Sequence, residues 1–86
     1  MSIEQLIEHF LSRRKNIRFR EMEKELLNIG FEVRQQKRGG SHYVFKHPTL
    51  AMFIVLVTHG KNDVLPEYQT MKAIRALQEL KNELEK

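Results

Sequence analysis

The hydrophobic pattern of this chain changes period at Gly30, and that change limits the folds open to it. Before Gly30, apolar residues recur every three or four positions. Ile3, Leu6, Ile7, Phe10 and Leu11 form one helical stripe, and Phe19, Met22, Leu26 and Ile29 form another. After Gly30 the period is two: Phe31, Val33 and Gln35 share one face of a strand, and Glu32, Arg34 and Gln36 share the other. Glycine accepts the left-handed conformation that often ends a helix, so Gly30 reads as the stop between the two regimes. Ser2 is placed to cap the first helix. Arg13, Arg14 and Lys15 would fill its last turn, where positive charge suits the helix dipole, and Asn16 would break it.

Arg38-Gly39-Gly40 reads as a hairpin turn, followed by a strand from Ser41 to His47 that Pro48 ends. A third strand is expected from Ala51 to Thr58. Its apolar run, Met52 to Val57, predicts burial on both faces, in a central or covered position. His59-Gly60-Lys61-Asn62-Asp63 is a polar loop. Pro66 then opens a last helix whose core stripe is Met71, Ile74, Leu77, Leu80 and Leu84. Short connections between consecutive elements favour an antiparallel meander with helices on one face. The expected fold is α+β, a three-stranded antiparallel sheet in the order α-α-β-β-β-α. It makes a single domain over 1–86, with residues 1–16 as an additional N-terminal helix.

A chain of 86 residues, 41% of them hydrophobic, supports one modest core, with stability of about 5 kcal/mol. No apolar run approaches the ~20 residues of a membrane span. The N-terminus lacks the basic start and apolar block of a secretory signal. Without cysteine there are no disulfides or thiolate metal sites, which fits a cytoplasmic protein.

The formal charge of +4 favours a polyanionic partner only weakly, and the distribution says more. Arg34, Lys37, Arg38 and Lys46 lie in the stretch 33–46 with no acid among them, while acids such as Glu21, Glu23 and Glu25 gather in the helices. A basic middle between mixed-charge helices reads as an interaction face, the plain alternative being a solvated basic hairpin.

Alternation decides which way the histidines point. Tyr43, Phe45 and His47 lie on one face of the middle strand, and His42, Val44 and Lys46 on the other. The more apolar face packs inward, so His42 faces outward beside Lys46, with Arg34 of the neighbouring strand pointing the same way. An exposed imidazole among cations suits phosphodiester chemistry. Histidine holds both protonation states near neutral pH, and Lys46, Lys37 and Arg38 can neutralise phosphate oxygens. His42 and His47 fall on opposite faces, which argues against a shared metal. His59 ends the third strand and approaches His42 if those strands are neighbours; His9 lies on the polar side of the first helix, in solvent. Gly39-Gly40 lacks the lysine-serine ending of a nucleotide-binding loop and reads more simply as a turn. No Ser/His/Asp set, paired carboxylate motif or dinucleotide fingerprint is present, and no cofactor is expected.

Gly30-Phe31, then Gly40-Ser41-His42, Val44-Phe45, Lys46 and His47-Pro48 form an ordered set over about residues 17–80. That set resembles the HicA family of toxin–antitoxin ribonucleases, or mRNA interferases. The resemblance implies a fold similar to double-stranded RNA-binding domains and metal-independent cleavage of mRNA, with His42 as the essential residue. It also implies a HicB-type antitoxin that binds the toxin and covers the site. On this reading Lys46 and Arg34 position phosphate and Lys37 and Arg38 guide the RNA. Gly40 and Ser41 belong to the RNA-binding stretch, and His59 and Lys61 are candidate supporting residues. Two rivals use the same residues differently: a non-catalytic RNA-binding module on the same basic face, and a protein-interaction domain built around the first helix.

Overall fold

Three helices and a three-stranded antiparallel sheet follow one another in the order α-α-β-β-β-α, as the residue patterns predict. The computed structural model describes residues 2–35 and 41–86. Gln36, Lys37 and the expected turn at Arg38-Gly39-Gly40 lie outside the described residues.

Helix α1 spans Ile3–Ser12. Its start is a reciprocal capping box: Gln5 N–H donates to Ser2 Oγ at 3.1 Å, and Ser2 N–H donates to Gln5 Oε1 at 3.0 Å. The helix ends earlier than the basic run suggests. Ser12 Oγ donates to the His9 carbonyl at 2.8 Å, competing with the backbone for an acceptor in the last turn. Arg13, Arg14 and Lys15 therefore lie past the helix rather than in its last turn. Arg13 donates forward to the Asn16 carbonyl at 3.0 Å, and Arg14 pairs with Glu67 at 2.8 Å.

Helix α2 spans Phe19–Asn28 and has no side-chain cap. Its first amides are taken by a distant loop instead. Phe19 N–H donates to the Asp63 carbonyl at 2.9 Å and Arg20 N–H to the Lys61 carbonyl at 2.8 Å. Leu65 N–H returns a bond to the Ile17 carbonyl at 2.8 Å, tying the loop to the segment before the helix. The other end is a Schellman turn: Phe31 N–H donates to Leu26 and Gly30 N–H to Leu27, with Gly30 at φ +103°. A Cβ at Gly30 would stand 3.0 Å from His47 Nε2 as well as in a left-handed backbone. Gly30→Ala should therefore cost about 2 kcal/mol, read as a lower denaturant midpoint. An unchanged midpoint would refute this close approach.

Strands β1 (Glu32–Gln35), β2 (His42–Lys46) and β3 (Ile54–Val57) are ordered β1-β2-β3. Val33 sits opposite Phe45, and Phe45 opposite Ile54. The third strand corrects the sequence expectation. It begins at Ile54 rather than Ala51, and it is an edge strand rather than a central one. Only Ile54 and Leu56 reach the core; Val55 and Val57 are half-buried on the other face, and Met52 and Phe53 are exposed ahead of the strand.

Helix α3 spans Glu67–Leu84 and buries Ile74, Leu77 and Leu80, while Leu84 at its end stays exposed. Helices α2 and α3 cover one face of the sheet: Phe19 of α2 packs on β2, and α3 lies against β3. Helix α1 packs on α3 and sends Leu6, Ile7 and Phe10 into the same core. Its stripe is thus consumed by folding, which leaves little of it for a partner. Lys81 clasps Glu4 across α1 and α3 at 2.8 Å, and its hydrogen bond holds the Glu4 carboxyl below the usual carboxylate range. Both groups are solvated, so the pair orients more than it stabilises. No described helix is long and apolar enough to cross a membrane.

Candidate active site

The alternation of β2 sorts its side chains as the sequence reading predicts. Tyr43 and Phe45 are buried against Phe19, with ring centroids 4.6 and 6.1 Å apart. His42 and Lys46 are exposed on the opposite, open face, with half-buried Val44 between them. Arg34 is exposed and stands opposite Val44, which places it on that same face. Val55 and Val57 of β3 face Val44 and His42, so the face is an apolar strip edged by an imidazole and two cations.

Three contacts fix the surroundings of His42. Ser41 gives its carbonyl to Thr58 N–H at 2.9 Å, which anchors the start of β2 to β3. Ser41 Oγ lies 3.5 Å from His42 Nδ1, a long contact that orients the ring only loosely. Lys46 holds its ammonium 5.8 Å from the Phe53 ring centroid, a cation–π contact that keeps the charge over the open face. Among the described residues nothing bonds His42 Nε2, so that nitrogen is open to a substrate.

The other expected site residues are dispersed. His59 is exposed, one residue beyond the Thr58–Ser41 bond, at the end of the sheet that carries His42. Lys61 pairs with Glu23 at 3.3 Å and lies 5.8 Å from the Tyr43 ring, contacts that belong to the helical side of the sheet. Lys37, Arg38 and Gly40 lie outside the described residues. Among the described residues no three His, Asp or Glu side chains converge as a metal site would require.

Two histidines have structural work that sequence spacing does not show. His9 is half-buried rather than solvated, with Nε2 3.2 Å from Glu21, linking α1 to α2. His47 bridges two backbone segments. Thr49 N–H donates to Nδ1 at 3.1 Å, so the ring proton sits on Nε2 and is donated to the Ile29 carbonyl at 3.0 Å. The ring also packs edge-on against Phe31 at 5.0 Å. Glu32, which alternation places on the face of Arg34, stands directly opposite Lys46, so the open face carries an acid beside that cation. The register of the hairpin is the signal that would reveal it.

A family model described as HicA toxin of bacterial toxin-antitoxin matches residues 19–79, from the first residue of α2 into the last turns of α3. No curated protein and no solved structure gives a significant match to the chain. The matched stretch covers more than half of the chain and includes all three strands, whereas α1 precedes it. The chain therefore belongs to the HicA toxin family, toxins of toxin–antitoxin pairs that are generally mRNA-cleaving ribonucleases and act opposite an antitoxin partner.

Proposed function

We propose that this protein is an endoribonuclease that cleaves mRNA without a metal ion, with His42 as general acid/base. The observation that carries the reading is the exposed imidazole of His42, unbonded at Nε2 among the described residues, on the sheet face that also presents Arg34 and Lys46. RNA lies across that face. The Arg34 guanidinium and Lys46 ammonium take phosphate oxygens and offset the charge that builds on them during attack. His42 accepts the proton of the attacking oxygen, and an imidazole suits that task because its ordinary pKa lies near 6.5. Lys37, Arg38 and Gly40, outside the described residues, are assigned with Ser41 to RNA binding. His59 supports the site from the end of β3, while Lys61 steadies the loop that carries it. The likeness to double-stranded RNA-binding domains belongs to this proposal, as do a cytoplasmic location, where mRNA is, and a HicB-type antitoxin covering the open face.

Incubating the purified chain with RNA in EDTA tests the reading against its rival, a module that binds RNA on the same face without cutting it. The expected result is fragments, formed at a similar rate with and without the chelator. RNA that shifts in a gel but stays full-length would favour the rival. Cutting that requires added magnesium would overturn the metal-free mechanism.

A further inference from the structure

The free edge of β3 forms one wall of a groove whose other wall is α3. Hydrogen-bonded pairs alternate along an antiparallel ladder. Thr58 donates to Ser41, so Thr58, Leu56 and Ile54 spend their backbone groups on β2, and Val55 and Val57 turn theirs outward. Val57 shows this directly: its N–H is taken by Gln69 Oε1 of α3 at 2.8 Å. Gln69 thereby closes the edge at one end, while the Val55 N–H and C=O open into a groove of about 320 Å³. Met52, Phe53, Val55, Lys72 and Arg75 line it, and Met52 and Phe53 are 46% and 54% exposed. Other cations near α3 are paired: Arg14 with Glu67, Lys81 with Glu4, Lys86 with Glu83. Among the described residues, Lys72 and Arg75 have no carboxylate partner.

We infer that this groove receives an extended strand of the antitoxin, which adds to the edge of β3 and sets a carboxylate side chain over Lys72 and Arg75. The inference rests on the toxin–antitoxin pairing proposed above. Strand addition between an edge strand and a helix draws affinity from main-chain bonds and specificity from alternate side chains. An unpaired edge beside exposed apolar side chains is a liability that a permanent partner removes. Two other occupants fit the charges less well. A second hollow, which shares Met52 with the groove, is lined by Glu79 and Glu83. A polyanion such as RNA would be repelled there, whereas a peptide can vary its side chains along the groove. A second copy paired edge to edge would bring its own Lys72 and Arg75 toward these.

The test uses the full chain, the antitoxin of its pair purified separately, and the RNA-cleavage assay on the same preparations. K72E/R75E is expected to weaken antitoxin binding on the order of 100-fold while RNA cleavage by the free toxin is unchanged. Val55→Pro deletes only an outward N–H, a substitution edge strands tolerate; with a native circular dichroism spectrum it should weaken binding about 10-fold, one decade of affinity. In the complex the Val55 amide should become protected from hydrogen exchange. Equal antitoxin affinity for all three proteins, or a Val55 amide that exchanges as fast in the complex as in the free chain, would overturn the inference. So would K72E/R75E losing RNA cleavage with antitoxin affinity intact, or wild-type self-association that the variant abolishes. Failure of the wild-type chain to cut RNA strikes the proposed function instead, and the binding data still decide the groove.

Discussion

His42→Ala should lower RNA cleavage by about 100- to 10,000-fold, the range expected for removal of a general acid/base. RNA binding and the melting temperature should hardly change. The side chain is exposed and, among the described residues, makes only a 3.5 Å contact with Ser41. Arg34 and Lys46, the proposed phosphate contacts, keep their places because alternation and register set them without help from the imidazole. The measurement is a fragment assay with purified protein, paired with growth arrest on expression. Cleavage at the wild-type rate would remove His42 from the mechanism. Loss of cleavage together with loss of the folded spectrum would point to a structural role instead.

Phe45→Ala should have the largest effect on stability. Phe45 is completely buried, on the helical side of the same strand, and packs against Phe19. Truncating a buried phenylalanine to alanine costs about 3–5 kcal/mol, through lost transfer energy and the cavity left behind. A domain of this size has about 5 kcal/mol in total, so the variant should retain only about 0–2 kcal/mol, with anything from a few per cent to about half of it unfolded. Thermal unfolding followed by circular dichroism would show an early, broadened transition, and activity would fall in proportion to the folded fraction. This separates it from His42→Ala, in which activity falls and folding does not. A Phe45→Ala protein melting within a few degrees of wild type would mean the cavity collapses at little cost.

The features readable from sequence are those that one strand or helix decides alone. The outward turn of His42 follows from alternation in β2, and the stop at Gly30 follows from glycine's tolerance of positive φ. Sequence reading failed where a partner from elsewhere decides the outcome. Met52 and Phe53 belong to an apolar run that looks like a buried strand, yet they flank a groove, and hydrophobicity does not distinguish a core from an open edge. Lys61 reads from sequence as a supporting residue of the site, but Glu23 and the Tyr43 ring hold it on the helical side. The bridging role of His47 depends on the Schellman turn bringing the Ile29 carbonyl within reach, and no spacing rule for histidines contains that fact. The start of α2 at Phe19 follows from its apolar stripe, but what caps it does not. Its caps are the carbonyls of Lys61 and Asp63, which every residue type carries.

That borrowed start governs when the protein can become active during synthesis. Until the Lys61–Leu65 segment has left the ribosome, α2 lacks the acceptors for its first amides, and Phe19 has no fixed seat beneath Tyr43 and Phe45. The platform carrying His42 therefore stiffens only after the Lys61–Leu65 segment has emerged and docked against α2.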